Sequence, residues 1–230
     1  MKATIIAAKW LFIFCLPVLL LTASIGVVAN SLWLYEYGSQ EYGASQDLAA
    51  AGLKLSDSEL DSIYAGLIRY FNSDEEYVHI TVVKDDKPID LFTPEEVIHF
   101  RDVKGLVWLD YWLLLGTLVY SLSYIGLSLF LWRERRQLAW GLVGGSIFTL
   151  AVMLALVLLN TLFGFGQLWY QFHLMFFTNE FWSAEGYMLK LFPGGLFYDM
   201  VIFGASLTAG AAITLGGVGG WYVKRKADKL

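Results

Sequence analysis

Four long, mostly apolar runs constrain this chain more than any other feature. They extend from Trp10 to about Leu34, from Leu106 to Trp132, from Leu138 to Phe163 and from Val201 to Val223. A helix needs roughly 20 consecutive apolar residues to cross a bilayer, and each run meets that length. The composition agrees: 57% of residues are hydrophobic and only 16% are charged. Soluble domains lie nearer half apolar and a quarter charged. The net charge of -5 gives no basis for nucleic-acid binding. The expected class is a mainly α membrane protein with four transmembrane helices and a small α+β extracytoplasmic cap.

Basic residues orient the spans. Lys2 and Lys9 precede the first, Arg133, Arg135 and Arg136 lie between the second and third, and Lys224, Arg225, Lys226 and Lys229 follow the fourth. Four crossings put all three sets on one side, the cytoplasmic side by the positive-inside rule. The expected division is therefore 1–34 (tail and first span), 35–105 (cap), 106–132 (second span), 133–137 (cytoplasmic loop), 138–163 (third span), 164–200 (outer aromatic segment) and 201–230 (fourth span and basic tail). Both termini are then cytoplasmic. The first run exceeds the apolar core of a cleaved signal peptide, which favours a retained helix. Gly204, Ala205, Ala209 and Gly210 in the fourth run are small enough to let helices approach closely. The single cysteine, Cys15, excludes an internal disulfide and reads as a membrane-buried thiol.

Within 35–105, residues 35–53 read as a weakly structured lead-in. Ser56 and Glu59 then form a capping box before Leu60, Ile63, Tyr64, Leu67 and Phe71 at helical spacing. Tyr77–Val83 alternates and is β-branched, predicting a strand. Asp85-Asp86-Lys87-Pro88 is turn chemistry, and residues 89–92 return as a short strand. Thr93, Pro94 and Glu96 start a helix with a second capping box. That helix carries His99 and runs into the second span. If Gly105 leaves it unbroken, His99, Leu106 and Asp110 share one face. About seventy residues is little chain for an independent core, so the cap is expected to rest on the outer ends of the spans.

The chain has three histidines, and two of them fall at the outer membrane boundary. His99 has Glu95, Glu96, Arg101 and Asp102 for neighbours. His173 lies among Trp169, Tyr170, Phe172, Phe176 and Phe177, where rings serve equally well as interfacial anchors. His79 lies between apolar residues and reads as surface or packing. Two imidazoles at one boundary suit a base and an acid for acyl transfer. The acidic neighbours of His99 suggest an acid, and the apolar setting of His173 suggests a base. Arg101 is a candidate to hold an oxyanion, or a surface ion pair with Asp102 or Glu96. Asp110 is a candidate to orient His99, because intramembrane carboxylates are costly. Trp108, Tyr111 and Trp112 are candidates for the wall of an apolar pocket. No HExxH, CxxC, phosphate loop or GxSxG elbow is present. Two alternatives stay open: a non-catalytic membrane protein that binds a lipid or protein partner through its cap, and a metal-dependent hydrolase using His79, His99 and His173.

The motifs Gly66-Leu67-Ile68-Arg69-Tyr70-Phe71-Asn72, FTPEEVIHFRDVKGL, and FHLMFFTNEFW with LFPGGLF resemble the bacterial lipoprotein intramolecular transacylase family, Lit. The match of order and topology covers nearly the whole chain. The resemblance implies a four-helix membrane enzyme of the bacterial cytoplasmic membrane, with its active site on the extracytoplasmic face. It implies transfer of the sn-2 acyl chain of a diacylglyceryl lipoprotein from glycerol oxygen to the free α-amino group of the N-terminal cysteine. The product is a lyso-form lipoprotein. The two catalytic histidines of the family fall on His99 and His173, and no cofactor is implied. The segment SAEGYMLKLFPGG offers no obvious carboxylate partner for His173.

Overall fold

The computed structural model describes residues 2–227; Lys229 of the basic tail lies outside them. Its elements are α1 (Lys2–Ala29), α2 (Leu32–Glu41), α3 (Ala44–Ala50), α4 (Asp57–Phe71), β1 (Thr81–Lys84), β2 (Lys87–Asp90), α5 (Pro94–Gly126), α6 (Arg135–Phe163), α7 (Phe165–Phe176), α8 (Met188–Leu191) and α9 (Gly194–Ala227). Among the described residues the protein is mainly helical, with four helices long and apolar enough to cross a membrane and one two-stranded sheet. Its internal contacts form two units. One holds the chain up to Gly26, Leu109–Leu162 and the chain from Phe203 onward; the other holds Val27–Trp108 and Phe163–Ile202.

The first unit is built from the apolar parts of α1, α5, α6 and α9. Phe12, Leu16, Tyr124 and Leu138 are its buried centre, and Phe12 stacks on Tyr124 with ring centroids 4.8 Å apart. Tyr120 donates to the Ala8 carbonyl at 2.7 Å. Thr208 donates to Ser24 at 2.9 Å. Gly144 and Gly145 of α6 face Ile13 and Leu16 of α1, and Gly216 and Gly219 of α9 face Ser146 and Ala139 of α6. At Gly219 an added Cβ would lie 2.8 Å from the Ala139 carbonyl oxygen, which no side-chain rotation relieves. Gly210, expected to permit close approach, has open space where its Cβ would be. The close contacts fall about two turns further along α9, at Gly216 and Gly219. Leu122, Phe130, Ile147, Leu154, Leu162 and Ile213 are among the exposed apolar residues of these helices. Apolar faces of that extent require lipid, and the chain is a multi-pass membrane protein.

The second unit is organised on α4. Glu59 accepts from the Ser56 N–H at 2.8 Å and from the Ser56 hydroxyl at 2.7 Å, which fixes the first turn. Leu60, Ile63, Tyr64, Leu67, Tyr70 and Phe71 are buried along one face, as the spacing predicts. Residues 35–53 differ from the expected lead-in, since they form α2 and α3. Leu34, Tyr35, Ala44 and Leu48 are buried there, and Tyr35 packs on Tyr64 with centroids 5.6 Å apart. Tertiary burial outweighs the low helix propensity of this Gly-rich stretch. The first long helix also ends earlier than its apolar run, at Ala29, because Asn30 and Ser31 interrupt it.

The hairpin is shifted from the expected positions. β1 begins only at Thr81, paired with Asp90, and Val82 faces Ile89. Tyr77 is instead engaged beside Arg101 and Val78 is buried. Asp85 and Asp86 both have left-handed backbone, with φ of 50° and 59°, which suits a two-residue hairpin turn.

Helix α5 runs through Gly105 without a break. At 1.5 Å per residue it is about 50 Å long, well beyond the ~30 Å hydrocarbon core. Its apolar part begins at Leu106, so its first three turns, with His99, precede the spanning segment.

Replacing glycine by alanine inside a helix gains up to ~1 kcal/mol of propensity. Overpacking costs roughly 1–3 kcal/mol. Gly219→Ala is therefore expected to lower the thermal midpoint in detergent, whereas Gly210→Ala leaves it unchanged or raises it. Equal responses would refute the close α6–α9 contact.

Candidate active site

Two helix ends of the second unit bring His99 and His173 together. His99 lies in the second turn of α5, whose start is fixed by the expected capping box. Glu96 accepts from the Thr93 N–H at 2.9 Å, and Thr93 Oγ1 accepts from the Glu96 N–H at 3.3 Å. His173 lies in the last turn of α7. That helix starts anew after Gly164, whose φ of 78° and ψ of 153° form a conformation essentially restricted to glycine. The two imidazole rings are 6.1 Å apart between centroids and inclined by 28°. Only 7% of His99 and 6% of His173 is exposed.

Aromatic rings enclose the pair. Trp169 and Trp182 each lie 4.8 Å from the His173 ring, Phe177 at 5.4 Å and Phe172 at 5.5 Å. Phe177 also meets His99 edge-on at 4.8 Å. Trp169 is held in turn by Phe197, stacked at 4.6 Å. Tyr170 packs on Trp182 and Phe176 on Phe172, each with about half its surface exposed.

Hydrogen bonds set the chemistry of the two rings. His173 Nδ1 lies 2.7 Å from the Trp169 carbonyl. A carbonyl only accepts, so Nδ1 donates in this bond, and Nε2 is the ring nitrogen not engaged by it. This backbone oxygen is the orienting partner that the sequence did not reveal. His99 Nδ1 is buried without a hydrogen-bond partner. Trp182 Nε1 is likewise buried and unpartnered. Leaving such a group unsatisfied costs about 1–3 kcal/mol, and the two rings that carry these atoms both lie near the His173 ring, where polar ligand atoms would satisfy them.

The electrostatics of His99 correct the expectation of a charged acid. Burial, aided by the neighbouring His173, pulls its pKa from 6.5 to about 4, and Asp102 pulls upward with less effect. Asp102 is already engaged: it accepts from Asn179 Nδ2 at 3.0 Å and pairs with Arg101 at 3.6 Å. His99 is therefore uncharged near neutral pH.

Other candidates fall elsewhere. Arg101 is 42% exposed and is turned to Asp102 and to the Tyr77 hydroxyl at 3.3 Å, the surface ion-pair arrangement. Trp108 is partly exposed. Asp110, Tyr111 and Trp112 belong to the first unit. There Asp110 is buried with its Oδ2 unpartnered, and Trp112 is 64% exposed. His79 is exposed, and among the described residues no three His, Cys, Asp or Glu side chains are grouped to hold a metal ion.

Three residues support the site in ways the sequence did not show: Glu96 was read only as a helix cap, and Asn179 and Trp182 were given no role in the site. Glu96 is fully buried and accepts from the Met188 N–H at 2.7 Å as well as from Thr93. It thereby ties the segment before α8 to the helix that carries His99. Burial pushes its carboxyl pKa up, against the two backbone hydrogen bonds. Asn179 joins its segment to Asp102 and also accepts from the Phe181 N–H at 3.1 Å. Trp182 then sits in a short 3₁₀ turn, Phe181–Ser183. The TNEFW motif was visible, but its contacts lie some eighty residues away in sequence.

An unfolded histidine titrates near 6.5 and folded His99 near 4. Between these values the unfolded chain binds the extra proton. The stability from burying neutral His99 is therefore complete above pH 6.5 and is lost as pH falls towards 4, by up to about 3 kcal/mol. His99→Gln is expected to flatten the fall in thermal midpoint between pH 7 and 4.5; parallel profiles would contradict the buried neutral imidazole.

The model of the family described as "Lipoprotein intramolecular transacylase Lit" matches residues 10–194. The fold matches the in meso structure of the membrane integral lipoprotein intramolecular transacylase Lit from Bacillus cereus. The TM-score is 0.83 at 17% identity, over 99% of each chain. A histidine-to-arginine variant of that protein matches with a TM-score of 0.78 at 16% identity, over 100% of this chain and 96% of that one. A histidine-to-alanine variant matches at the same score and identity, over 98% and 96%. No curated protein sequence matches. The chain belongs to the lipoprotein intramolecular transacylase family Lit, a family of membrane acyltransferases.

Proposed function

We propose that this chain moves the sn-2 acyl chain of a diacylglyceryl lipoprotein from the glyceryl oxygen to the α-amino group of the N-terminal cysteine. The product carries one N-linked and one O-linked chain. The observation that carries this reading is the pair of buried imidazoles 6.1 Å apart, with Nδ1 of His173 committed to the Trp169 carbonyl and Nε2 not engaged by that bond.

The α-amine has a reference pKa of about 7.7–8.0 and needs a base to become nucleophilic near neutrality. In the proposed sequence the ammonium form first loses one proton to solvent, and His173 Nε2 accepts a second as the nitrogen attacks, so the amide nitrogen ends with one hydrogen. The amine nitrogen bonds to the ester carbonyl carbon, and the C=O π pair moves onto oxygen. Collapse re-forms the C=O bond and breaks the bond to the glyceryl oxygen, which takes the proton from the His173 imidazolium. His99 serves as a neutral imidazole, donating a ring N–H to the glyceryl oxygen as it leaves. Neutral histidine is an effective electrophile of this kind. No acyl-enzyme forms, in keeping with the absence of a GxSxG motif.

The rings position the reactants. Amine and ester sit on one flexible molecule, so confinement raises their effective concentration. Trp169, Phe172, Phe177 and Trp182 form the stiff wall, with Tyr170 and Phe176 on its exposed side towards lipid. In this reading Asp102 acts through Asn179 and Arg101 through Asp102. The basic residues at both ends of the chain and in the 133–137 loop support cytoplasmic termini and an extracytoplasmic site. The substrate is a lipoprotein with a free cysteine amine, within the bacterial cytoplasmic membrane.

The test is mass spectrometry of lipoprotein N-termini from cells lacking a native transacylase. This chain is expected to leave the mass unchanged and shift the fragments from diacylglyceryl to N-acyl monoacylglyceryl cysteine. His99→Ala and His173→Ala are each expected to lower the rate by about 10²–10⁴-fold. Full activity in either variant would remove that histidine from the chemistry. An unshifted fragment pattern with well-expressed wild-type chain would favour a lipid- or partner-binding role instead.

A further inference from the structure

We propose that the indole N–H of Trp182 is the oxyanion donor of this site, hydrogen-bonding the ester carbonyl oxygen as it gains charge. The inference rests on the acyl-transfer reading above. Trp182 Nε1 can only donate, and it is buried with no partner in the protein. The T-shaped contact with Tyr170, centroids 5.7 Å apart, offers at most a π face, a weaker acceptor than an oxygen.

The ring that carries this donor lies next to the place where charge develops. The reacting amine must lie about 3 Å from His173 Nε2 to pass its proton. The carbonyl carbon and oxygen follow at bond lengths of about 1.5 and 1.2 Å. The oxyanion therefore forms within a few ångströms of the His173 ring, and the Trp182 ring is 4.8 Å from that ring. Phe172 and Phe177, also against His173, have no donor to offer. Arg101, the charged alternative, is turned to Tyr77 and Asp102.

The chain also invests in holding this residue. Asn179 is fixed to Asp102 of α5 and accepts from the Phe181 N–H, and Ser183 donates to the Glu180 carbonyl at 2.8 Å. These bonds set the turn that presents Trp182. A preorganised donor of this kind acts on the transition state and leaves substrate binding little changed.

The test uses the purified full-length protein with a synthetic diacylglyceryl lipopeptide in lipid–detergent micelles. Trp182→Phe removes the N–H and part of the ring. Replacing Trp182 by 3-benzothienylalanine exchanges N–H for sulfur and keeps the ring shape, so it decides the matter even if the phenylalanine variant folds poorly. The expected result for the sulfur analogue is a kcat lowered on the order of 10²-fold, with KM within about threefold and an unchanged thermal midpoint. A kcat within about threefold of wild type, or a loss confined to KM, would overturn the proposal. If wild-type protein itself forms no N-acyl product, the acyl-transfer reading fails and this inference with it. An active wild type with a fully active analogue removes only the role of Trp182.

Discussion

One buried carboxylate holds the second unit in register. Glu96 caps the helix that carries His99 and accepts the Met188 N–H from a segment ninety-two positions along the chain. Burying a carboxyl is costly, and the raised pKa records that cost. Two backbone donors offset it. No Cβ fits at Gly186, which lies directly against this carboxylate. The first turns of α5 and the segment before α8 are thereby fixed to each other, and the His99 ring is placed by a helix that cannot rotate at its start.

From that frame the balance of forces on the histidines follows. Asp102 is close enough to favour a charged His99, yet desolvation wins, because Asp102 already satisfies Asn179 and Arg101. The pair therefore avoids two positive charges 6 Å apart in an apolar surrounding. His173 is oriented by the backbone carbonyl one turn before it, so no second acid is needed. Ring walls supply rigidity and exclude water, which strengthens every dipole in the pocket.

Much of this was legible in the sequence, and the reasons are physical. Long apolar runs, capping boxes at Ser56 and Thr93, and the Asp85-Asp86 turn are local signals, and each was observed close to where its residues predict it. The two histidines were legible from their motifs and their position relative to the spans. Features that depend on distant burial were not. Helices α2 and α3 form because Tyr35, Ala44 and Leu48 find a core in α4 and its neighbours. The start of β1 depends on what engages Tyr77. The charge state of His99 reverses the expectation from its sequence neighbours, since burial among distant rings outweighs the pull of Asp102. Asn179 and Trp182 acquire meaning only from contacts with α5 and α7.

The central claim is that transfer occurs within one substrate molecule at the two histidines. The most direct measurement is a crossover assay with two diacylglyceryl lipopeptides that differ in both peptide mass and acyl length. The account predicts N-acyl products that keep their own acyl chains, formed by the wild-type protein and not by a His99→Ala, His173→Ala double variant. Products with exchanged chains, or undiminished formation by the double variant, would contradict it.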